Sequence, residues 1–191
     1  MLALPIGTEA PANYADFLNL MGNSYLKTAL YKRPIMYVDV LEAFWNTAVV
    51  EDMVDENGTT NQVVSCTIKT VSITFNSADV NDALGLPNKD LVDPPTDDEI
   101  RAFLTFINYD SKIDLARLNK KYLRREWSFF FDTIIRVFTC RKTGWDQIPS
   151  VAQKLVYSLA YGKQLDVGKL ILRELSTRLI SPMDRRGNEI F

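Results

Sequence analysis

The sequence predicts a mainly α-helical fold of the α+β class, a helical domain with a small three-stranded antiparallel β-meander as an insert. Apolar residues recur at helical spacing over most of the 191-residue chain. Between residues 48 and 75 the period changes to the alternation typical of strands. Hydrophobic residues make up 47% and charged residues 24%, so the chain has the composition of a globular protein with a substantial core.

The segment before the insert predicts three short helices. Apolar residues follow helical spacing from residue 14 to residue 30, with a break at Gly22-Asn23-Ser24, so two helices are expected there. Residues 38–47 predict a third, amphipathic helix. Residues 1–13 contain two prolines and a glycine, and we expect them to form a flexible arm.

The insert shows one strong turn signal and one strict alternation. Residues 48–54 and 62–68 flank Asn57-Gly58, a pair of residues typical of tight β-hairpin turns. Residues 71–75 place Val71, Ile73 and Phe75 on one face of a third strand. Such a small sheet needs helices packed against it to be stable.

Capping residues and helix stops mark the helices after the insert. Ser77 is the expected N-cap of a helix that stops at Gly85, and Thr96 with Glu99 forms a capping box that opens a helix to about residue 107. Ser150 and Asp166 are the expected N-caps of the last two helices.

The strongest helical periodicity covers residues 123–138. The last helix is expected to end near residue 180, and residues 181–191 form a polar tail. Residues 14–180 are therefore predicted to fold as a single globular domain.

Several enzyme classes lack their residues in this chain. There is no histidine, which removes the commonest general base and most zinc-ligand sets. Neither of the glycine-rich loops that bind nucleotide phosphates is present. The acidic residues cluster at a predicted turn and at the start of a helix, where solvation or capping explains them. We therefore expect a non-enzymatic protein with no catalytic residues, metal site, cofactor or small-molecule substrate.

The two cysteines, Cys66 and Cys140, are too few for a disulfide framework and are expected to be reduced thiols. No apolar run approaches the ~20 residues that span a bilayer, and the N-terminus lacks the features of a secretory signal. The expected location is intracellular, cytoplasmic or nuclear, without membrane association.

The net charge of −2 conceals a separation of charge along the chain. Residues 1–110 contain 6 Lys or Arg and 16 Asp or Glu, a net charge of −10, whereas residues 111–191 contain 16 and 8, a net charge of +8. Such asymmetry marks a nucleic-acid or partner surface in some proteins. Pairing of an acidic half with a basic half inside one fold explains it equally well.

One basic run is the candidate nucleic-acid site. At helical spacing its residues form a patch on a basic helix near residues 117–125, which would hold phosphates. The alternative is the solvated face of an amphipathic helix, or a docking surface for the acidic half. The candidate patch comprises Arg117, Lys120, Lys121, Arg124, Arg125, Arg141 and Lys142. Nearby Trp145 is either an interaction aromatic or a plug over the core.

A succession of short motifs resembles a known family. The second half carries Leu123-x-x-Glu126-Trp127, Tyr157 to Lys163, Asp166-Val167-Gly168 and Glu174-Leu175, and the first half carries Ile73-Thr74-Phe75-Asn76 and Leu84-Gly85-Leu86-Pro87. Their order and spacing, from about residue 44 to residue 175, resemble the plant transposon protein domain of retroelement-derived proteins. The chain departs from many relatives at residues 140–149, which replace a Pro-Thr-Ser-type connector.

The resemblance implies descent from a plant retrotransposon and supplies no catalytic motif. Our leading hypothesis is a non-enzymatic, retroelement-derived protein that acts through protein–protein contacts, with self-association as one form. The alternative hypothesis is nucleic-acid binding through the basic run.

Overall fold

The computed structural model describes residues 14–32, 35–54, 56, 58, 60–139 and 146–180. These residues form eight α-helices and one three-stranded antiparallel sheet, which confirms the predicted fold class. The elements are α1 Tyr14–Asn23, α2 Lys27–Tyr31, α3 Val38–Thr47, β1 Val49–Val54, β2 Thr60–Ile68, β3 Val71–Phe75, α4 Ser77–Leu84, α5 Asp97–Phe106, α6 Arg125–Phe138, α7 Ser150–Ala160 and α8 Val167–Ile180.

Internal contacts divide the chain into two compact units. The helical unit comprises Met1–Lys32 and Lys89–Leu165, and the sheet unit comprises Arg33–Asn88 and Asp166–Phe191. The expectation of a single domain over residues 14–180 stays a prediction. The expected arm at residues 1–13 and the expected tail at residues 181–191 lie outside the described residues.

The helical unit is built around aromatic side chains from α1, α5 and α6. The Phe17 ring lies 5.0 Å from that of Trp127, centroid to centroid, and Phe103 lies 5.5 Å from Trp127, both edge to face. Phe130 and Phe131 of α6 have no exposed surface. The predicted apolar stripe of α6 is therefore the centre of this core, since rings of this size bury the most area per residue.

The sheet unit combines the meander with α3, α4 and α8. The strand order is β1-β2-β3, with Val50 opposite Val64 and Cys66 opposite Ile73. Its buried cluster consists of Ala48, Val64, Cys66 and Leu172, and partly buried apolar side chains, among them Phe44 and Phe75, pack against it. Gly58 has a φ of 80°, consistent with the expected hairpin turn, and Asn57 lies outside the described residues.

The helix signals were partly correct. Thr96 and Glu99 form the expected capping box of α5, and Gly85 ends α4 in the left-handed conformation. The expected cap Ser77 is wrong, because the Asn76 side chain accepts from Ala78 N and Asp79 N and forms its own capping box with Asp79.

The last two expected caps had different outcomes. Ser150 is also wrong as a cap, because it is the first residue of α7, after Pro149. Asp166 is confirmed, since its carboxylate accepts from Lys169 N at 2.8 Å.

Candidate functional site

The basic run does not form the expected helix. Lys120–Tyr122 is a single 3₁₀ turn, and α6 begins only at Arg125. Two backbone bonds explain the difference: Lys120 N donates to Asp146 O at 2.7 Å, and Ile148 N donates to Leu118 O at 2.9 Å. Since this backbone is bonded to a distant segment, it cannot make the ladder of a helix. The predicted basic helix near residues 117–125 is therefore wrong in its local structure.

Lys120 belongs to the interior of the helical unit. It is 9% exposed, and its ammonium group forms an ion pair with Asp132. Arg136 Nε donates to the other Asp132 oxygen at 2.6 Å. Burial by itself raises the pKa of Asp132, but the hydrogen bonds and charges of Lys120 and Arg136 outweigh it and lower the pKa. Lys120 is thus committed to a structural ion pair and does not present its charge to a ligand.

Four residues of the basic run do face solvent. We call Arg117, Lys121, Arg124 and Arg125 the exposed basic stretch. Within the described residues none of the four forms an ion pair. Lys121 Nζ lies 4.7 Å from the centroid of the Tyr122 ring, a cation–π distance. The expected site residues Arg141, Lys142 and Trp145 lie outside the described residues.

The position of two arginines opposes helix stability. Arg124 is the N-cap of α6 without a side-chain capping bond, and Arg125 is its first residue. The N-terminus of a helix carries partial positive charge, so cations there are unfavourable. Helix stability therefore does not explain why both positions are basic.

Sequence reasoning missed a polar cluster in the helical unit that joins Glu99, Tyr157 and Lys163. Tyr157 Oη donates to Glu99 Oε1 at 3.0 Å. Lys163 Nζ lies 3.2 Å from Tyr157 Oη and 3.5 Å from Glu99 Oε1. The capping box at Thr96 revealed Glu99 in the sequence, but no local signal revealed partners about sixty residues away.

The ionisation of this cluster is stable near neutral pH. The backbone N–H of Thr96, followed by Tyr157, lowers the pKa of Glu99 to about 2. Burial raises the pKa of Tyr157, and the hydrogen bond with Tyr157 raises the pKa of Lys163. Glu99 stays charged, Tyr157 stays a neutral donor and Lys163 stays charged, so none is poised to exchange a proton at pH 7. The cluster links α5 to α7 and to Lys163 in the segment that follows α7.

A second polar cluster joins α4 to α8 within the sheet unit. Asn81 is 1% exposed, and its amide donates to Asn88 Oδ1 and to Asp166 Oδ1, each at 3.0 Å. Its oxygen accepts from Gly168 N at 2.7 Å. A Cβ on Gly168 would lie 2.0 Å from Ser77 O, so only glycine allows this approach. Gly168 therefore allows a close contact between α4 and α8.

The acidic residues do not assemble a metal site in the described ranges. Glu51 and Asp52 are consecutive in β1, so their side chains point to opposite faces of the sheet. Glu51 accepts from Ser65 Oγ at 3.2 Å. No group of three or more metal-ligating side chains converges within the described residues.

The acidic and basic halves of the sequence do not correspond to the two units. Each unit combines a segment of the acidic half with a segment of the basic half. Glu99 and Lys163, one from each half, lie together in the helical unit, and Gln62 and Ser176 are hydrogen-bonded in the sheet unit. These contacts favour the interpretation that the halves meet within the fold.

Exposed apolar side chains concentrate in the sheet unit. Four consecutive residues, which we call the apolar segment Ile35–Val38, precede and open α3, and Ile35 and Met36 are 77% and 76% exposed. In β3, Val71 is 59% exposed and Ile73 is 40% exposed. Monomeric proteins seldom leave contiguous apolar surface uncovered, so such positions point to binding surfaces.

Comparison with known proteins identifies no relative. No family model, curated protein or solved structure matches the chain. Among the helices of the described ranges, none is long and apolar enough to cross a bilayer.

Proposed function

We propose that this is a non-enzymatic, intracellular protein that acts through protein–protein contacts, with self-association among them. The apolar segment Ile35–Val38 carries the proposal, since it leaves four successive apolar side chains in water. Covering such a surface releases its hydration water, which is the main driving force of protein association. The polar clusters of both units have structural explanations and do not compete with this function.

We further propose descent from a plant retroelement. The order and spacing of the motifs from about residue 44 to residue 175 support this origin. Two of the motifs have structural roles of their own, the helix stop at Gly85 and the close approach at Gly168. Retroelement sequence flanking the gene is the expected genomic observation, and its absence from every related locus would contradict the origin.

The proposed function is tested by changing the apolar segment. The double variant I35S/M36S removes two of its most exposed side chains. The control V54S/I180S removes exposed apolar side chains of similar exposure elsewhere in the sheet unit. The immobilised 191-residue chain should retain a partner, or itself, from cell extract. The retention should fall at least ~10-fold in I35S/M36S only, since ~1.4 kcal/mol of binding energy is tenfold.

The measurement includes sedimentation velocity on the same three proteins, with circular dichroism to check folding. Stoichiometric retention that depends on residues 35 and 36 supports the proposal. A monomer at every concentration that retains no protein stoichiometrically contradicts it. Equal losses in both double variants would indicate nonspecific adsorption and would also contradict it.

The exposed basic stretch favours a second candidate function, nucleic-acid binding. We propose it as the alternative because Arg124 and Arg125 are exposed and occupy a helix N-terminus that disfavours them. Phosphate groups would offset both charges. Lys120, buried in its ion pair, is excluded from this version of the site.

Nucleic-acid binding is tested by comparing two charge-reversal variants across a salt series. Fluorescence anisotropy with single- and double-stranded DNA and RNA should show binding that weakens with salt. R124E/R125E should lower the slope of log K against log salt by about 1.5, since each phosphate contact contributes ~0.7–0.9. The control K27E/K32E changes net charge equally at exposed positions of the helical unit. Equal effects of the two variants, or no binding at low salt, would reject the alternative.

A further inference from the structure

β3 forms an open and uncharged edge of the sheet. In the order β1-β2-β3, its strand pairing within the described residues is with β2 alone. The strand reads Val-Ser-Ile-Thr-Phe, with no charged residue and no proline, and four of its five residues are exposed. Natural proteins usually protect such edges with charges, prolines or bulges, because an open edge readily pairs with another strand.

The opposite edge of the same sheet has that protection. β1 carries Glu51 and Asp52 at its centre. Antiparallel pairing of β1 with a second β1 would place acid opposite or beside acid, which is destabilising. The two edges of one sheet therefore differ in whether they tolerate a second copy of themselves.

We propose that β3 pairs antiparallel with β3 of a second copy of this chain, about a two-fold axis at Ile73, so that two sheets become one sheet of six strands. The proposal rests on the proposed function and names the surface and the partner for self-association. A second copy fits because the strand is self-complementary in this direction. Ile73 then lies opposite Ile73, and Val71 lies opposite Phe75 of the partner copy.

Two conditions select this register: apolar residues oppose apolar residues, and all five residues of β3 are paired, whereas a shift of two residues would leave two of them outside the paired strand. Val71, Ile73 and Phe75 lie on the face that carries their β2 partners Ile68, Cys66 and Val64. In an antiparallel pair, residues directly opposite each other share a face. A shift of one residue would set Ser72 or Thr74 against apolar side chains and interrupt the apolar layer. With the axis at Ile73, the apolar face continues from one copy into the next.

The charges at the ends of the strand agree with the same arrangement. Lys69, in the turn before β3, is exposed, and Asp79, in the first turn of α4 after it, is also exposed. The antiparallel register brings the Lys69 end of each strand to the end of the other that leads to Asp79. Opposite charges then approach at both ends of the interface, which favours correct orientation. A parallel pairing would bring Lys69 next to Lys69.

Sedimentation equilibrium of the full chain provides the first test. The wild type should approach twice the 21.8 kDa monomer mass as concentration rises. I73K places a lysine directly against its copy and should raise the dimer dissociation constant at least ~10-fold, since like charges opposite each other destabilise a pair. The matched control M53K adds the same charge to the β1 edge, where Met53 is 53% exposed, and should leave the dissociation constant unchanged.

Cross-linking provides a second test that does not depend on a charge in the sheet. In a C66A/C140S background, I73C should form an oxidised dimer, because residues opposite each other lie ~5 Å apart. V71C, on the same strand and face, should not, since its copy lies four residues away, ~14 Å at 3.4 Å per residue, beyond the ~7 Å limit of a disulfide. Cys66 is removed because it lies directly opposite Ile73 in β2 and would otherwise compete by forming an intramolecular disulfide.

The outcomes separate this inference from the proposed function. A dimer lost in I73K and cross-linked only through I73C supports β3 pairing. A monomeric wild type, or a dimer that survives I73K or cross-links equally through V71C, overturns it. Retention of a partner through residues 35 and 36 is measured independently, so this inference can fail while the proposed function stands, and failure of the proposed function is recognised separately by a lack of any retention.

Discussion

The two units bury apolar surface in different ways. The helical unit places its largest side chains fully inside, with Phe17, Phe103, Phe130 and Phe131 at most 1% exposed. The cluster of the sheet unit has four buried side chains, none of them aromatic, and its phenylalanines Phe44 and Phe75 pack against these while only partly buried. The six most exposed large apolar side chains of the described residues all belong to the sheet unit: Ile35, Met36, Ile180, Val54, Tyr37 and Val71.

From this difference we propose different roles for the two units. A core of interlocked rings contributes to stability in proportion to the area it removes from water. A small core that leaves apolar side chains outside contributes less, and its free surface is available to a partner. We infer that stability depends mainly on the helical unit and association mainly on the sheet unit.

The largest expected effect tests the aromatic core through two neighbouring residues of α6. Phe130 has no exposed surface, whereas Phe129 is 38% exposed and contacts Tyr14. F130A should lower the free energy of unfolding by about 4 kcal/mol, the transfer cost plus the cavity. F129A should cost about 1 kcal/mol, measured in the same urea titrations. Similar losses for the two variants would contradict the assignment of stability to this core.

The next effect tests the tightest contact of the sheet unit. G168A places a methyl group 2.0 Å from Ser77 O, and backbone cannot move aside cheaply. We expect a loss of about 3 kcal/mol from overpacking. The control G22A lies within α1, where nothing is within 4 Å of the added carbon.

G22A should therefore stabilise by about 0.5–1 kcal/mol, the helix propensity difference between alanine and glycine. Thermal unfolding of both variants measures the expected destabilisation by G168A and the expected stabilisation by G22A. A G168A variant as stable as the wild type would show that α4 and α8 are not held at this distance.

The third effect tests the ion pair inside the helical unit. D132N leaves the Lys120 ammonium buried without its counter-charge and should cost about 2 kcal/mol, less than a fully buried pair because Asp132 is partly exposed. K120M removes the buried charge as well and should leave the free energy of unfolding nearly unchanged. If K120M costs as much as D132N, the pair itself stabilises the fold and the expectation is wrong.

Acid unfolding tests the ion pair between Lys120 and Asp132 in a second way. The folded state lowers the pKa of Asp132 below its ordinary value of 3.8. The carboxylate therefore contributes stability that is complete above that value and is lost as pH falls through the lower folded pKa. D132N should lack this part of the acid dependence. A wild type and D132N with parallel stability curves below pH 4 would contradict it.

Local sequence patterns predicted the elements well. The bounds of α3 and β3 were predicted as the structure has them, because an amphipathic period and a strict alternation are complete within ten residues. The capping box at Thr96 was found for the same reason. At α4 the predicted cap, Ser77, is wrong by one residue, because Asn76 is also a good capping residue and its bond with Asp79 decides the position.

Features that depend on distant residues could not be predicted. Residues 118–120 do not form the expected helix, because their backbone is hydrogen-bonded to residues 146–148. The burial of Lys120 depends on Asp132, which lies on another element. The division into two units depends on which segments pack together, and no composition change marks it. Of the expected basic patch, four residues are exposed, Lys120 is buried, and two lie outside the described residues.

The smallest effect concerns a residue that the comparison between units leaves unexplained, Arg124. As the N-cap of α6 it makes no side-chain capping bond and places positive charge at the positive end of the helix. R124D supplies a capping oxygen and reverses the charge, so it should raise the free energy of unfolding by about 1 kcal/mol. The control K121D makes the same charge change in the 3₁₀ turn, before α6 begins, and should leave the free energy of unfolding within ~0.5 kcal/mol of the wild type.

If R124D stabilises and also weakens nucleic-acid binding, the arginine is kept for its charge at a cost in stability. If it stabilises and binding is unchanged, Arg124 has no phosphate-binding role. If no binding is detected at all, the exposed basic stretch has none, and association through the sheet unit remains the single proposed function.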